Sequence, residues 1–270
     1  MCIRDSDNSG AKELWRGPWA GISRTNWILT NIDKSPKISE AKKTQYKGEA
    51  HFLRGLYYFN LVRLFGDVPW IDKQQTASDD LQVSRTSKDI VYQHIIDDFS
   101  DAASMLPAVY ENTTDIGRAT KGAAFGLLAK VYLTLKRYNE TLVAIDSVMN
   151  LGVYSLNRKY EWNFSDLREN GPESLFEVQY EKDVTAYSEF DILGQGGWHH
   201  EYMAPLASIN IGGPWGNFGW FAVYPEFVES YEPGDLRKSV SVWCEGDVYQ
   251  GWSYDPTCSQ TGHNLSLIHI

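Results

Sequence analysis

Basic residues are in short supply: 25 Lys and Arg stand against 35 Asp and Glu, a formal charge of −10. A nucleic-acid partner needs a basic stripe to neutralise phosphates, and none is visible, so that class of ligand is excluded. The surplus of acid reads as a solubility feature. Long apolar runs are lacking as well. A spanning helix needs about 20 consecutive apolar residues, and no stretch of this chain approaches that. Cysteine is scarce, with three in 270 residues. Setting Cys2 aside leaves Cys244 and Cys258, which form one disulfide in an oxidising compartment or stay as two free thiols. Their spacing fits no zinc pattern, so no metal site is expected. Nor is there a Gly-x-Ser-x-Gly elbow, a P-loop or a dinucleotide fingerprint, and no cofactor is implied.

Aromatic residues are what the chain has in excess, including 10 Trp and 16 Tyr. They fall into two settings. One is periodic. From Tyr46 to Trp70 the sequence reads YKGEAHFLRGLYYFNLVRLFGDVPW. Tyr46, Ala50, Leu53, Tyr57, Leu61 and Leu64 recur in steps of three or four and lay a stripe along a helix. Phe52, Tyr58, Phe59 and Phe65 fall outside that stripe, so the helix is expected to pack on more than one side. Gly66 offers the left-handed C′ residue and Pro69 prevents a restart. Before it, Leu14 to Ile32 reads as a helix beginning near Pro18, because proline is at home in a first turn.

After it, Thr86-x-x-Asp89 resembles a capping box opening a helix with the stripe Val91, Ile95, Phe99, Ala102 and Leu106. Thr120 to Leu135 is a helix rich in small residues, which would admit a close helical neighbour, and Tyr138 to Met149 is its partner. Leu128-Ala129-x-x-Tyr132, then Tyr138 and Ile145, hold the offsets of a tetratricopeptide unit, with Lys136 where that unit prefers Gly. Helix pairs of this kind bury their stripes by stacking.

Beyond Gly152 the helical period is lost. Leu175 to Tyr180 and Ser239 to Trp243 read as short strands, and Pro225 to Tyr231 as a short helix. The fold class is therefore mainly α, a tetratricopeptide-like scaffold over residues 7–156 followed by a loop-rich part with a few short strands over 157–264. The six residues at each end, MCIRDS and LSLIHI, can be encoded by strings that are nearly reverse complements. They are expected to be non-native adaptor sequence around an internal fragment of a longer protein.

Glu49-Ala-x-Phe-Leu-Arg-Gly-x-Tyr-Tyr-Phe59 and Leu61-Val-Arg-Leu-Phe-Gly-Asp-Val-Pro69 resemble the hallmark helix of the SusD/RagB family. In that family's order come Ile22-x-Arg-x-Asn26, Tyr92-x-x-Ile-Ile-x-Asp98, Gly117-Arg-Ala-Thr-Lys121, Leu128-Ala-Lys-Val-Tyr-Leu133, Glu173-Ser-Leu-Phe-Glu-Val-Gln-Tyr180 and Gly234-Asp-Leu-Arg237. The resemblance implies a non-enzymatic lipoprotein of the Bacteroidetes outer membrane surface. Such a protein captures glycan and passes it to a TonB-dependent, SusC-like transporter. It implies contact with the membrane only through a lipid anchor that this fragment does not carry.

The second aromatic setting is where such a ligand would be held. Sugar recognition needs flat rings against C–H faces and planar polar groups for hydroxyls. Gly196 to Tyr224 is rich in both, and Gly and Pro free its rings from a periodic core role. Trp198 and Trp215 are the expected platforms, with Tyr202 and Trp220 beside them; the competing role for each ring is packing against the helical half. His199 and His200 lie adjacent on an extended stretch and point opposite ways. Glu189 and Asp191 do not meet the requirement of a glycosidase, which needs two carboxyl groups facing one bond across about 5–9 Å. Two rival readings stand: a helical-repeat scaffold for a protein partner with no sugar site, and a glycoside hydrolase.

Overall fold

The computed structural model describes residues 9–79, 81–179, 222–249 and 252–265. Two compact units are formed, one by residues up to 155 together with 175–177, the other by 156–174 and the residues from 178 on. The protein is mainly α, and the first unit is a tetratricopeptide-like stack of helices.

Helix α1 spans Ser9–Asn31 with Pro18 inside it, so the helix starts well before the proline. Proline removes one backbone hydrogen bond and crowds the preceding turn. Packing holds that turn: Trp15 meets Phe65 edge-on at 5.0 Å and Trp19 at 5.3 Å. Helix α2, Glu40–Phe65, begins at Ser39, whose hydroxyl accepts from the Lys42 N–H, and ends at Gly66 with φ of +69°. Its middle is buried on several faces, at Ala50, Phe52, Gly55, Tyr58, Phe59, Leu61 and Val62. One member of the expected stripe, Leu64, is instead exposed.

Helix α3 runs Lys88–Met105 and carries no cap from the expected Thr86–Asp89 box. Thr86 pairs with Val68 in a β-bridge instead. The Asp67 carboxylate takes over at the helix start, accepting from the Lys88 N–H at 2.8 Å. An anion there also suits the positive end of the helix dipole. Thr120 caps α4, Lys121–Thr134, by accepting from the Ala123 N–H. Helix α4 packs between α3 and the helix that follows it, with Ala123, Ala124 and Ala129 buried, while its two glycines take in side chains. A Cβ on Gly122 would fall 2.3 Å from the Tyr154 ring, and one on Gly126 would fall 2.6 Å from Leu175.

Between α4 and α5, Tyr138–Met149, Lys136 adopts φ of +59°. A left-handed conformation costs a non-glycine residue about 1–2 kcal/mol, part of which glycine gives back through its freer unfolded state. Lys136→Gly is therefore expected to stabilise the protein by about 0.5–1 kcal/mol, read as a raised urea midpoint.

Three polar links, those of Arg54, His51 and Glu49, tie the helices together, the first of them buried. The Arg54 guanidinium of α2 donates to both Asp98 oxygens of α3 at 2.9 and 2.7 Å, to the Asn26 side chain of α1 at 2.9 Å and to the Asp72 carbonyl at 3.1 Å. Burial works against its charge, yet Asp98 prevails and holds the group above its ordinary pKa. His51 meets the same carboxylate at 2.7 Å. Glu49, one turn earlier, accepts from Arg118 at 2.9 Å and from the Tyr110 hydroxyl at 3.2 Å, fixing the chain just before α4. Around these links lies one apolar core running from Ile22 through Phe52, Phe59, Ile95 and Phe99 to Ala124 and Val131.

The expected strand at Leu175 to Tyr180 has no ladder among the described residues. Its start serves as an anchor: Leu175 enters the space over Gly126, and Phe176 packs edge-on to Phe52 at 4.9 Å.

The second unit has a smaller core of Val223, Val228 and Val242. Short helix α6 spans Pro225–Glu229, with proline in its first turn as expected. Part of the expected Ser239 to Trp243 strand is helical, since α7 covers Arg237–Ser241. Strand β1, Val242–Trp243, then pairs antiparallel with β4, Asn264–Leu265; β2, Val248–Tyr249, pairs with β3, Trp252–Ser253. Gly234 turns with φ of +85°, and the Asp235 carboxylate just after it accepts from the Arg237 guanidinium at 2.6 Å. Hydrogen bonds from Arg237 lower the Asp235 pKa, which marks a self-contained turn clamp. Cys244 is half-buried and Cys258 buried.

Candidate functional site

Trp198, Tyr202, Trp215 and Trp220 lie outside the described residues, as do His199, His200, Glu189 and Asp191. What the structure does describe is the frame at each end of that segment. On the entry side, Asn170 and Gln179 exchange two amide hydrogen bonds, at 2.9 and 3.1 Å. On the exit side, Ala222 bridges to Asn264, the Val223 N–H donates to the His263 carbonyl at 3.2 Å, and the Thr261 hydroxyl donates to the Val223 carbonyl at 2.6 Å. The described residues on both sides of the aromatic segment are thus hydrogen-bonded within the second unit.

Asn264 is fully buried and accepts from the Tyr254 hydroxyl at 2.7 Å. Burial pushes that Tyr254 hydroxyl well above its ordinary pKa, so it stays a donor. Trp243 packs beside the Tyr254 ring, with ring centres 5.9 Å apart. The Asn264 amide nitrogen and His263 Nδ1 are buried without a hydrogen-bond partner among the described residues.

Of the aromatic group named from sequence, Tyr224 falls within the described residues and is 72% exposed, immediately ahead of α6. Phe227, one turn on, is half exposed and packs edge-on to Tyr231. Tyr224 therefore offers an open ring at the exit of the segment, and Phe227 widens it. Sequence reading passed over Phe227 because a Phe on a short helix looks like core. No group of three or more His, Cys, Asp or Glu that could hold a metal occurs among the described residues, and none of their helices is long and apolar enough to cross a membrane.

The family model described as "Starch-binding associating with outer membrane", a SusD-like family, matches residues 3–133. A SusD-like protein from Bacteroides ovatus is 26% identical over 275 residues, covering 94% of this chain and 48% of that relative. SusD-like protein P25 of Formosa agariphila is 26% identical over 203 residues, covering 72% of this chain and 38% of its own. Among solved structures, surface glycan-binding protein A from Bacteroides fluxus superposes with a TM-score of 0.79 at 26% identity, covering 95% of this chain and 54% of that one. These matches support a SusD/RagB family protein. It spans about half the length, or less, of the curated relatives it matches.

Proposed function

We propose that the protein is a surface glycan-binding subunit of the outer membrane. It captures an oligo- or polysaccharide and delivers it to a TonB-dependent transporter, without cutting the glycan. The observation that carries the binding step is the aromatic segment between Gln179 and Ala222, flanked on both sides by hydrogen-bonded residues and followed by the exposed rings of Tyr224 and Phe227. The family's starch-binding description and the naming of its relatives as glycan-binding proteins support the ligand class. The transporter step, the lipid anchor and the surface location rest on the resemblance to the SusD/RagB family. Residues 157–264 form the ligand-binding part in this reading, with Trp198 and Trp215 as ring platforms and Tyr202 and Trp220 beside them. The sugar rings stack on these faces, and amide and carboxylate groups between them take the hydroxyls.

A protein-interaction scaffold is the second reading, and one observation favours it. Leu142, Val143, Ile145 and Met149 leave an exposed apolar face on α5.

Affinity gel electrophoresis of the full-length protein over a panel of polysaccharides that includes starch separates the two. The glycan reading predicts retardation by at least one polysaccharide; no retardation by any of them would favour the scaffold. Trp198→Ala and Trp215→Ala are expected to lower the affinity about fivefold or more each, the loss of more than about 1 kcal/mol that truncating an interface anchor costs. Unchanged migration of both variants would remove these rings as platforms.

A further inference from the structure

The surplus of acid is confined to one part of the chain. Residues 7–156 carry 18 Lys and Arg against 17 Asp and Glu, close to balance, whereas residues 157–264 carry 6 against 17. The loop-rich part therefore accounts for the whole formal charge of −10. Solubility alone would not require that asymmetry. The few bases of this part are also unevenly placed. No Lys or Arg occurs between Lys182 and Arg237, a stretch that holds the entire aromatic segment and eight Asp and Glu.

Most of the described bases of this part are already committed. Lys159 pairs with Glu161 at 3.1 Å, Arg237 with Asp235 at 2.6 Å, and Arg168 lies over the Trp162 ring at 4.0 Å. The acids are placed differently. On α6 and the turn after it, Glu226, Glu229 and Glu232 accompany the open rings of Tyr224 and Phe227. Each of the three is exposed, and none is ion-paired among the described residues. Residues 224–236 thus present rings and unpaired carboxylates and contain no base. A uronate or a sulfate offers hydrogen-bond acceptors only, so a protein holds it with Lys or Arg donors, often a bidentate guanidinium. A sugar hydroxyl both donates and accepts, and carboxylates and amides satisfy it. Unpaired carboxylates also act at a distance. Their field reaches about 8 Å at physiological ionic strength, and a like charge brought into it is disfavoured.

We infer that the glycan is uncharged, and that Glu226, Glu229 and Glu232 turn away polymers bearing uronate or sulfate groups. The inference rests on the glycan reading above and adds which glycans that reading takes in. The three glutamates act through their field rather than by contact with the sugar.

Two derivatives of the polysaccharide that retards the full-length protein most, hydroxyethylated and carboxymethylated to the same degree, test it. Their substituents are alike in size and differ in charge. Binding is measured with the full-length protein in about 0.15 M NaCl and again in about 1 M, where the screening length falls to about 3 Å. At the lower salt the carboxymethyl derivative should bind at least about tenfold more weakly than the hydroxyethyl one. The gap should shrink at least about threefold at the higher salt. Glu226→Lys, Glu229→Lys and Glu232→Lys together, all at exposed positions, should shrink the low-salt gap at least about threefold as well. Equal binding of the two derivatives, a gap unchanged by salt, or a gap unchanged in the triple variant would each overturn the inference. So would stronger retardation by an anionic polysaccharide, such as alginate or a carrageenan, than by any neutral one. Those results would leave glycan binding itself in place, whereas no retardation by any polysaccharide would remove the glycan reading and this inference with it.

Discussion

Asp98→Asn is expected to lower the unfolding free energy of the full-length protein by about 3–5 kcal/mol, because it leaves the Arg54 charge buried without its counter-ion. The pair lies inside the helix stack, with side chains 9% and 3% exposed, and the carboxylate also serves His51. Asparagine keeps the shape but offers one acceptor oxygen where Arg54 uses two. The same substitution in an exposed pair, Glu140→Gln opposite Arg137, should produce no measurable change, since solvent already screens that pair. Replacing both partners, as Arg54→Met with Asp98→Leu, should recover most of the loss, because an apolar pair leaves no stranded charge. Urea titration followed by tryptophan fluorescence reads all three. A loss under about 1 kcal/mol for Asp98→Asn would mean that the links among α1, α2 and α3 are held by packing alone.

Phe52→Ala carries the second large effect, a loss of about 3–5 kcal/mol. The ring is wholly buried, edge-on to Phe99 at 5.9 Å and to Phe176 at 4.9 Å. Its removal opens a cavity in the centre of the scaffold and takes away the surface on which residues 175–177 are anchored. Leucine should cost less, about 1–1.5 kcal/mol, because it refills most of the volume. A local readout accompanies the global one: in Phe52→Ala, limited proteolysis should cut near Phe176 faster than in the parent. An unchanged urea midpoint together with an unchanged cleavage rate would contradict the anchoring role.

The strings that mark the family in the sequence are the residues that bond between helices. Glu49 and Arg54 belong to the hallmark helix; Glu49 accepts from Arg118, and Arg54 donates to Asn26 and Asp98. Arg54 and Glu49 could be read as structural from their aromatic helix, and the structure supplies their partners. The partner on α3 is in such a string too: Tyr92-x-x-Ile-Ile-x-Asp98 ends on the buried acid, while its neighbour Asp97 faces solvent and accepts from Gln93. Two adjacent residues of a helix differ in direction by about 100°, so one acid of such a pair meets the core and the other solvent.

Local caps were legible where the capping residue is sequence-adjacent, as at Ser39 and Thr120. They were not where the cap arrives from elsewhere, as with Asp67 on α3. The misplaced start of α1 has a tertiary origin too, since Trp15 on Phe65 outweighs the local preference of Pro18. Short strands failed for a related reason. At Leu175 to Tyr180 the adjacent pair Leu175 and Phe176 is an anchor while Val178 is exposed, and pairing partners are a property of the whole fold rather than of six residues. At the candidate site, the aromatic composition between Gly196 and Tyr224 was legible, whereas the tethers at Asn170 and Thr261 required the fold.

The account stands or falls on capture without turnover. The measurement that tests this most directly is titration of the full-length protein with an oligosaccharide from the polysaccharide that retards it most, with the carbohydrate recovered and sized afterwards. Saturable binding, one oligosaccharide per protein or nearly so, with the ligand recovered at its original length, is the predicted result. Shortened oligosaccharide, or no heat of binding from any glycan tried, would contradict it.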